Sequence, residues 1–516
     1  LRLAKTALGR ALCTPVMRRY NELVTRVPPQ PVSVVALGWV VLLTACGGAG
    51  CATPFGPGYV VKQQEIRVSF LTHPRPLLLI SGQYRLENTG NQALDSLDVR
   101  LPGGRYRSAS FAFSWDAAPL SHRVSPDNPR DTELRFDQLW KIGETHDLKI
   151  SYELAPPTGD DVVSFSEDAF YLPSQGWTPQ LPQARGLFGF GGVPPKQWPL
   201  VAVLPPDFLV HASGEGPKRS GKGSAVQYSF RQTSADLTPF LIAGKYVETR
   251  QTLGESQTIH VWTRGKLDAA ELRNSGQALS ETLATYDRLF GARPKSRSSL
   301  WMVECPRPAG CISQRETGYA ALLYGSEAAR SAQLISEDSV LVDPQAGAGT
   351  METLAGPAFA AGWLGYGQNP GFYEQQPPVS ALPAFAAALA REATSGATVR
   401  SGIVGRALAA VPDPAPAASN ADPAVIRAKS LLLLYALRDK VGPDAFQKGI
   451  QHMLYARRRR GFNVTDLIAS LEQESREPIG PFVRQWIKRP GVPGEFRSRY
   501  SPSAFRQQSL LEETTR

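Results

Sequence analysis

The residue types able to do chemistry in this chain are few and scattered. Its six histidines are His73, His122, His146, His211, His260 and His452. No two stand close enough in sequence to form a local ligand pair, so a metal centre would have to be assembled from distant histidines, and neither a metal nor a cofactor is expected. Cys305 and Cys311 stand in CPRPAGC without a C-x-x-C or a Cys/His cluster. That spacing suits a small disulfide loop or two free thiols rather than zinc. The stretch GPKRSGKG (216–223) nearly matches a phosphate-binding loop, but Gly223 takes the place of the Ser or Thr that holds magnesium. Strand-like segments surround it, so it reads as a hairpin tip. No G-x-S-x-G nucleophile elbow occurs.

The formal charge is +10, and before residue 32 six Lys/Arg face the single acid Glu22. Arg18, Arg19 and Arg26, in an n-region expected to start at Met17, precede the apolar run VSVVALGWVVLLTA (32–45). This run suits the h-region of a secretory signal and falls short of the roughly 20 residues of a membrane-spanning helix. The following LTAC, Leu43 to Cys46, resembles a bacterial lipobox, which makes Cys46 the lipid attachment site and the mature N-terminus. Ordinary cleavage near Ala45 or Ala49 is the other reading of the same residues. On the lipobox reading the protein sits in the bacterial cell envelope, lipid-anchored and extracytoplasmic, on the periplasmic side where an outer membrane exists. Export makes a disulfide at Cys305 and Cys311 chemically reasonable. The basic run Arg457–Arg460 at a helix end is read as a solvated surface. No aromatic residues are interleaved with the cations, so nucleic acid is not an expected partner.

The elements that must position any site follow from periodicity. From Tyr59 to about Arg250 apolar residues alternate, as Leu148, Ile150, Tyr152 and Leu154 do in HDLKISYEL, with Pro, Gly and Asn turns between. Period two bounded by turn residues predicts antiparallel sheet, here one β-sandwich. A Pro/Gly-rich loop interrupts it between Gly176 and Trp198. Beyond that domain the period changes, and Leu272, Leu279, Leu283, Tyr286 and Phe290 predict a helix over 268–290. A short strand, SSLWMVECP, comes next, then helical segments near 351–366, 381–393, 423–440, 443–458 and 464–475. The expected organisation is a signal segment (1–46), an N-terminal β domain (47–250), a mostly α-helical domain (251–497) and a polar tail (498–516). The fold class is α+β and multidomain.

In order and spacing, YLPSQGWTPQ, PKQWPLVAVLPP, FLIAGKYVET and FVRQWIKRPGVP resemble the gluzincin aminopeptidases of the membrane alanyl aminopeptidase and leukotriene hydrolase type, over most of residues 60–495. The resemblance implies a β domain packed on a thermolysin-like α domain. It also implies a helical H-E-x-x-H-x-W-x-G motif, in which two histidines one turn apart share a zinc ion and the Glu polarises its water. Anchored on GWLG (362–365), the histidine positions fall on Pro357 and Ala361, and the general base on Ala358. Nineteen residues past Ala361, the third ligand falls on Ser380, and no carboxylate lies in 375–391. The family's transition-state tyrosine, two residues before a Lys-Gly pair, falls on Arg427, with Lys429 kept and Ser430 for the glycine. SQRETGYAALLYG is a degenerate form of the G-x-M-E-N strand, with Glu316 at the position that holds a substrate amine; a solvated strand-edge Glu is the alternative.

The expectation is therefore a degenerate zinc site, with no catalytic residue at the matching positions, on a helix kept because Ala358, Phe359, Ala361 and Trp363 fill a core and whose first turn is expected to hold Pro357. Such a protein acts as a pseudopeptidase with a peptide or protein partner, as a binding or scaffold component. The competing reading is a metallopeptidase of the same family with a non-standard metal site. In a third, the β domain acts through the loop at 182–195.

Overall fold

The computed structural model describes residues 58–72, 75–102, 107–155, 166–173, 176–181, 195–221, 223–232, 239–253, 257–265, 269–291, 299–306, 332–336, 339–342, 351–364, 377–412, 422–457 and 461–500. Apart from Gly58 these belong to one compact unit, Tyr59–Gln183 with Gly192–Arg516.

The first half is sheet because its apolar residues alternate. In β1 (Tyr59–Leu71), Ile66, Val68 and Phe70 are buried, and in β2 (Leu77–Asn88) Leu78, Ile80, Tyr84 and Leu86 are buried, while the residues between them point outward. The remaining strands of this half are β3 (Leu94–Arg100), β4 (Arg107–Trp115), β5 (Ala118–Pro119), β6 (Ser121–Val124), β7 (Asp131–Trp140), β8 (Thr145–Ala155), β9 (Ala169–Leu172), β10 (Trp198–Leu204), β11 (Leu209–Ala212), β12 (Glu215–Ser220), β13 (Val226–Gln232) and β14 (Leu241–Gly244). They form an eight-stranded sheet, β12-β13-β10-β1-β2-β8-β4-β5, covered by two three-stranded sheets, β3-β7-β6 and β11-β14-β9. One core, with Trp140, Trp177, Phe170 and Phe230 among its largest members, joins the layers as a sandwich. The pairing is antiparallel as expected except at its centre, where β1 and β10 run parallel with Ile66 opposite Leu200. A parallel partner needs a crossover, and the long excursion from β2 to β9 supplies it. The P-loop-like stretch lies within and just after β12 in the β12–β13 hairpin, where Gly221 and Gly223 take positive φ, as tight turns demand.

β9 and β14 are apolar throughout, so both faces of their sheet are covered. Phe170, Leu172, Leu241 and Ala243 face the sandwich core, whereas Ala169, Tyr171, Phe240 and Ile242 face a second cluster with Tyr246, Trp262, Val303 and Cys305.

That second cluster belongs to a five-stranded mixed sheet, β15-β16-β17-β19-β18: β15 (Val247–Leu253), β16 (Gln257–Thr263), β17 (Ser299–Glu304), β18 (Ala332–Ser336) and β19 (Ser339–Val342). It begins at Val247, a few residues before the expected change of domain. β16 and β17 are parallel, and α1 (Ala269–Phe290) is their crossover, as a βαβ unit requires. Beyond the sheet lie α2 (Met351–Trp363), α3 (Leu382–Ser395), α4 (Ala397–Ala409), α5 (Pro423–Val441), α6 (Pro443–Arg457), α7 (Val464–Ser475), α8 (Gly480–Lys488) and α9 (Gly494–Arg499). Asp422 caps α5 by accepting from the Ala424 N–H, with Pro423 at its first position; Asn463 and Asp466 form a capping box on α7. In α5 every residue from Ser430 to Leu437 is buried, which a helix permits only when neighbours surround it. No described helix is long and apolar enough to cross a membrane.

Asn88 fixes one end of the sandwich. Fully buried, it donates from Nδ2 to the carbonyls of Trp140 (2.9 Å) and Gln92 (3.0 Å), and its Oδ1 accepts from the Gly90 N–H (3.0 Å). Asn88→Ala would leave the buried Trp140 carbonyl without this donor and untie the turn at Gly90 and Gln92, so a loss of about 2 kcal/mol in unfolding free energy is expected. Denaturant titration measures it, and an unchanged midpoint would contradict this role.

Candidate functional site

The element on which a zinc motif would lie is α2. It touches α1, α3, β18 and β19. Ala358, Phe359, Ala360 and Ala361 are all buried, at 5%, 1%, 0% and 8% exposure. Four successive residues at about 100° each sweep most of the helix circumference, so α2 is enclosed at this level rather than open along one stripe. Its position is set by polar hooks at the backbone. The Tyr286 hydroxyl donates to the Gly356 carbonyl (2.8 Å), and Trp363 Nε1 donates to the Gly291 carbonyl (3.2 Å). Pro357 is not in the first turn as expected. The helix begins at Met351, so Pro357 falls inside it, where it removes one intrahelical donor. The surrounding packing holds the helix across that gap.

Ser380 lies half-buried in the 3₁₀ turn Val379–Ala381 that leads into α3, and this turn packs on α5. Arg427, on α5, is half-buried and its Nε has no hydrogen-bond partner. Two residues on, Lys429 Nζ donates to the Arg489 carbonyl, and burial lowers its pKa. The fold thus sets the expected positions 357, 358, 361, 380 and 427 on elements that touch one another in sequence. Ala and Pro side chains offer no metal donor, and Ser380 offers a hydroxyl in place of a carboxylate. No group of three or more His, Cys, Asp or Glu able to hold a metal occurs among the described residues. Glu316, Cys311 and Cys46 lie outside the described residues. Cys305 is buried and disulfide-bonded.

Sequence reading missed a histidine–tryptophan stack at the junction of the two halves. His211 on β11 lies nearly parallel to the Trp301 indole at 4.4 Å, and His260 on β16 does the same at 4.8 Å. His260 Nδ1 is 2.9 Å from Glu248 Oε1, which also accepts from Trp262 Nε1 at 3.3 Å. Partial burial pushes the Glu248 carboxyl up, but hydrogen bonds from His260, Arg250 and Trp262 outweigh it and hold the pKa below its ordinary value. His211 and His260 are 49 residues apart, so only the tertiary fold brings them onto one indole. The other described histidines are dispersed: His146 pairs with Asp116, His452 faces Glu474, and His122 packs on Phe113; His73 lies outside the described residues.

No protein-family model and no curated protein matches the chain. Solved structures do. The M1 zinc metallopeptidase from Deinococcus radiodurans matches at TM-score 0.54 and 16% identity over 85% of this chain and 95% of its own. A mutant of an M1 zinc metallopeptidase from Deinococcus radiodurans bound to a Tyr-Ser-Ala substrate matches at 0.54 and 16%, over 84% and 95%. A two-domain M1 zinc metallopeptidase mutant bound to L-arginine matches at 0.54 and 17%, over 84% and 95%. At such identities the likeness shows the fold: this chain has the sheet-rich N-terminal part and helical C-terminal part of the gluzincin aminopeptidases.

Enclosure of α2 has a measurable consequence. Ala358→Glu would place a carboxyl in an apolar core and is expected to destabilise the protein by about 2 kcal/mol or more at neutral pH. Burial raises the folded-state pKa above the unfolded value of about 4.3, so the penalty is small below that pH and grows as pH rises toward the folded pKa. Thermal unfolding at pH 4 and pH 7 checks both sign and size; a variant as stable as the parent at pH 7 would mean that position 358 faces water.

Proposed function

We propose that this chain is a lipid-anchored, extracytoplasmic protein with an aminopeptidase-like fold that performs no zinc-dependent peptide hydrolysis and acts as a peptide- or protein-binding or scaffold component. The observation that carries this reading is the enclosed α2 helix with Ala358 and Ala361 in its core-facing wall. Zinc-assisted hydrolysis needs three protein ligands, a bound water and a base in contact with that water. Alanine, proline and serine at 358, 361, 357 and 380 do not fit that ion, and Arg427 in place of a tyrosine offers a fixed cation instead of a neutral hydroxyl donor. A binding role suits the architecture, because solved structures of this fold hold a tripeptide and free amino acids. Glu316 is the proposed contact for a ligand amine, and Cys311 the proposed partner of Cys305.

The purified protein is expected to carry no stoichiometric zinc and to leave aminoacyl arylamides intact. About one zinc per chain by elemental analysis, together with chelator-sensitive turnover, would overturn the reading and favour a non-standard metal site. Anchoring is tested separately. Cys46→Ala is expected to release the protein from the membrane to the soluble extracytoplasmic fraction, and a variant that stays wholly membrane-bound would refute acylation at Cys46.

A further inference from the structure

The end of the sandwich fixed by Asn88 carries a feature that neither the fold nor the α2 helix requires. β7 and β8 are joined by a turn at Lys141–Glu144, closed by the Glu144 N–H donating to the Lys141 carbonyl (3.2 Å), with Gly143 at φ +80°. The turn is rigid. Gly143 N–H donates to the Asn88 carbonyl (2.8 Å), Asn88 N–H to the Glu144 carbonyl (3.1 Å), and Trp140 Nε1 to the same carbonyl (2.9 Å). On this fixed platform Leu139 and Ile142 stand 60% and 56% exposed, three residues apart. Isolated exposed leucines need no explanation, but two large aliphatic side chains held out at one hairpin end, Leu139 at the end of β7 and Ile142 on the turn, do.

The surroundings say what covers them. Tyr59, where the described fold begins, pairs with Asn88 and packs its ring 5.8 Å from Trp140, so the chain enters the sandwich at this same end. Only twelve residues, Gly47–Gly58, separate Tyr59 from Cys46. A fully extended dodecapeptide spans at most about 40 Å. Any membrane that holds acyl chains on Cys46 is therefore tethered to the sandwich at this end, within about 40 Å of Tyr59. The neighbouring turn, Thr89–Ala93, bears no charge. Glu144 pairs with Lys141 and Glu87 with Lys62, and the lysines are the more exposed partners, while Asp95, next to the Leu94 that pairs with Trp140, is exposed and accepts from the Ser96 hydroxyl. Asp137, exposed two residues before Leu139 and therefore on the same face of β7, limits insertion to the interfacial zone.

We propose that this end of the β domain is a bilayer-contacting face, with Leu139 and Ile142 seated at the headgroup–acyl boundary and Lys141 among the phosphates. The inference rests on the lipid-anchor reading of Cys46. It adds that the anchored protein is held in one orientation rather than swinging on its tether, because a single acyl anchor and a shallow apolar contact reinforce each other.

The test uses the full acylated chain in vesicles of phosphatidylethanolamine and phosphatidylglycerol, with an environment-sensitive fluorophore on Ile142→Cys. Leu71→Cys, exposed at the opposite end of the thirteen-residue β1, is the control. The label at 142 is expected to shift to shorter wavelength and to be quenched by spin-labelled lipid, the label at 71 to do neither, and Leu139→Asp to abolish the shift at 142. Emission at 142 as in water, or equal quenching at both sites, overturns the proposal. Mass spectrometry of the N-terminal peptide separates the two claims. An acylated chain whose 142 label remains in water loses the orienting face and keeps the anchor; an unacylated chain whose label is quenched loses the anchor and keeps the face.

Discussion

The structure depends most on the burial of one short helix around Ala358–Ala361. Met351–Trp363 sits against α1, α3 and the β18–β19 edge, and its alanines allow those neighbours to approach closely. Small side chains suit such a position because they let neighbouring backbones and large rings fill the space, as Phe359, Phe385 and Tyr286 do around them. Its described side chains from Ala358 to Trp363 are buried on every face of the helix. Its register comes from the two polar hooks, Tyr286 to Gly356 and Trp363 to Gly291, both of which tie it to the α1 crossover. Through α1 the same constraint reaches β16 and β17, and so the junction with the sandwich.

That junction is held by a sheet with two apolar faces. β9 and β14 send alternate residues to the sandwich core and to the cluster around Trp262 and Val303, so a three-stranded sheet joins both halves without a polar layer. The Trp301 stack adds a polar edge at this seam, where Glu248 meets both His260 and Trp262. Two imidazoles on one indole give a flat, well-packed contact that either protonation state tolerates, since a neutral ring stacks and a charged one gains cation–π attraction.

Much of this was legible in the sequence, and the exceptions have physical causes. Alternation located the strands, and the spacing of Leu279, Leu283, Tyr286 and Phe290 located α1, because each has a single buried face. The parallel pairing of β1 with β10 was not legible, since a strand pattern names a buried face and not a partner more than 120 residues away. β18 and β19 were missed because they are four or five residues long, too short for a period to register. Helix α4 was missed because its small residues, with Gly402 and Gly405, weaken both propensity and pattern. Pro357 was misplaced because proline favours first turns on average, whereas here tertiary packing sustains a helix across it. Of the site itself, the alanines at 358 and 361, the serine at 380 and the core-filling role of the helix that bears the alanines could be read directly; the backbone hooks from Tyr286 and Trp363 that hold this helix could not.

On the reading proposed above, closure also accounts for how this fold would stand without the ion that its solved neighbours are named for. In a zinc enzyme a helix at this place must bury two imidazoles and a carboxylate, groups whose desolvation is offset by the metal they bind. Removing the metal alone would leave uncompensated polar groups in a packed interior. Small apolar residues at these positions carry neither the cost nor the need for compensation. Buried polar groups elsewhere in the helical half obey the same rule by finding protein partners: Tyr435 donates to Glu392, and Arg438 donates to the same carboxylate. The alanine-lined helix follows the rule by having no polar side chain to satisfy at 358 or 361.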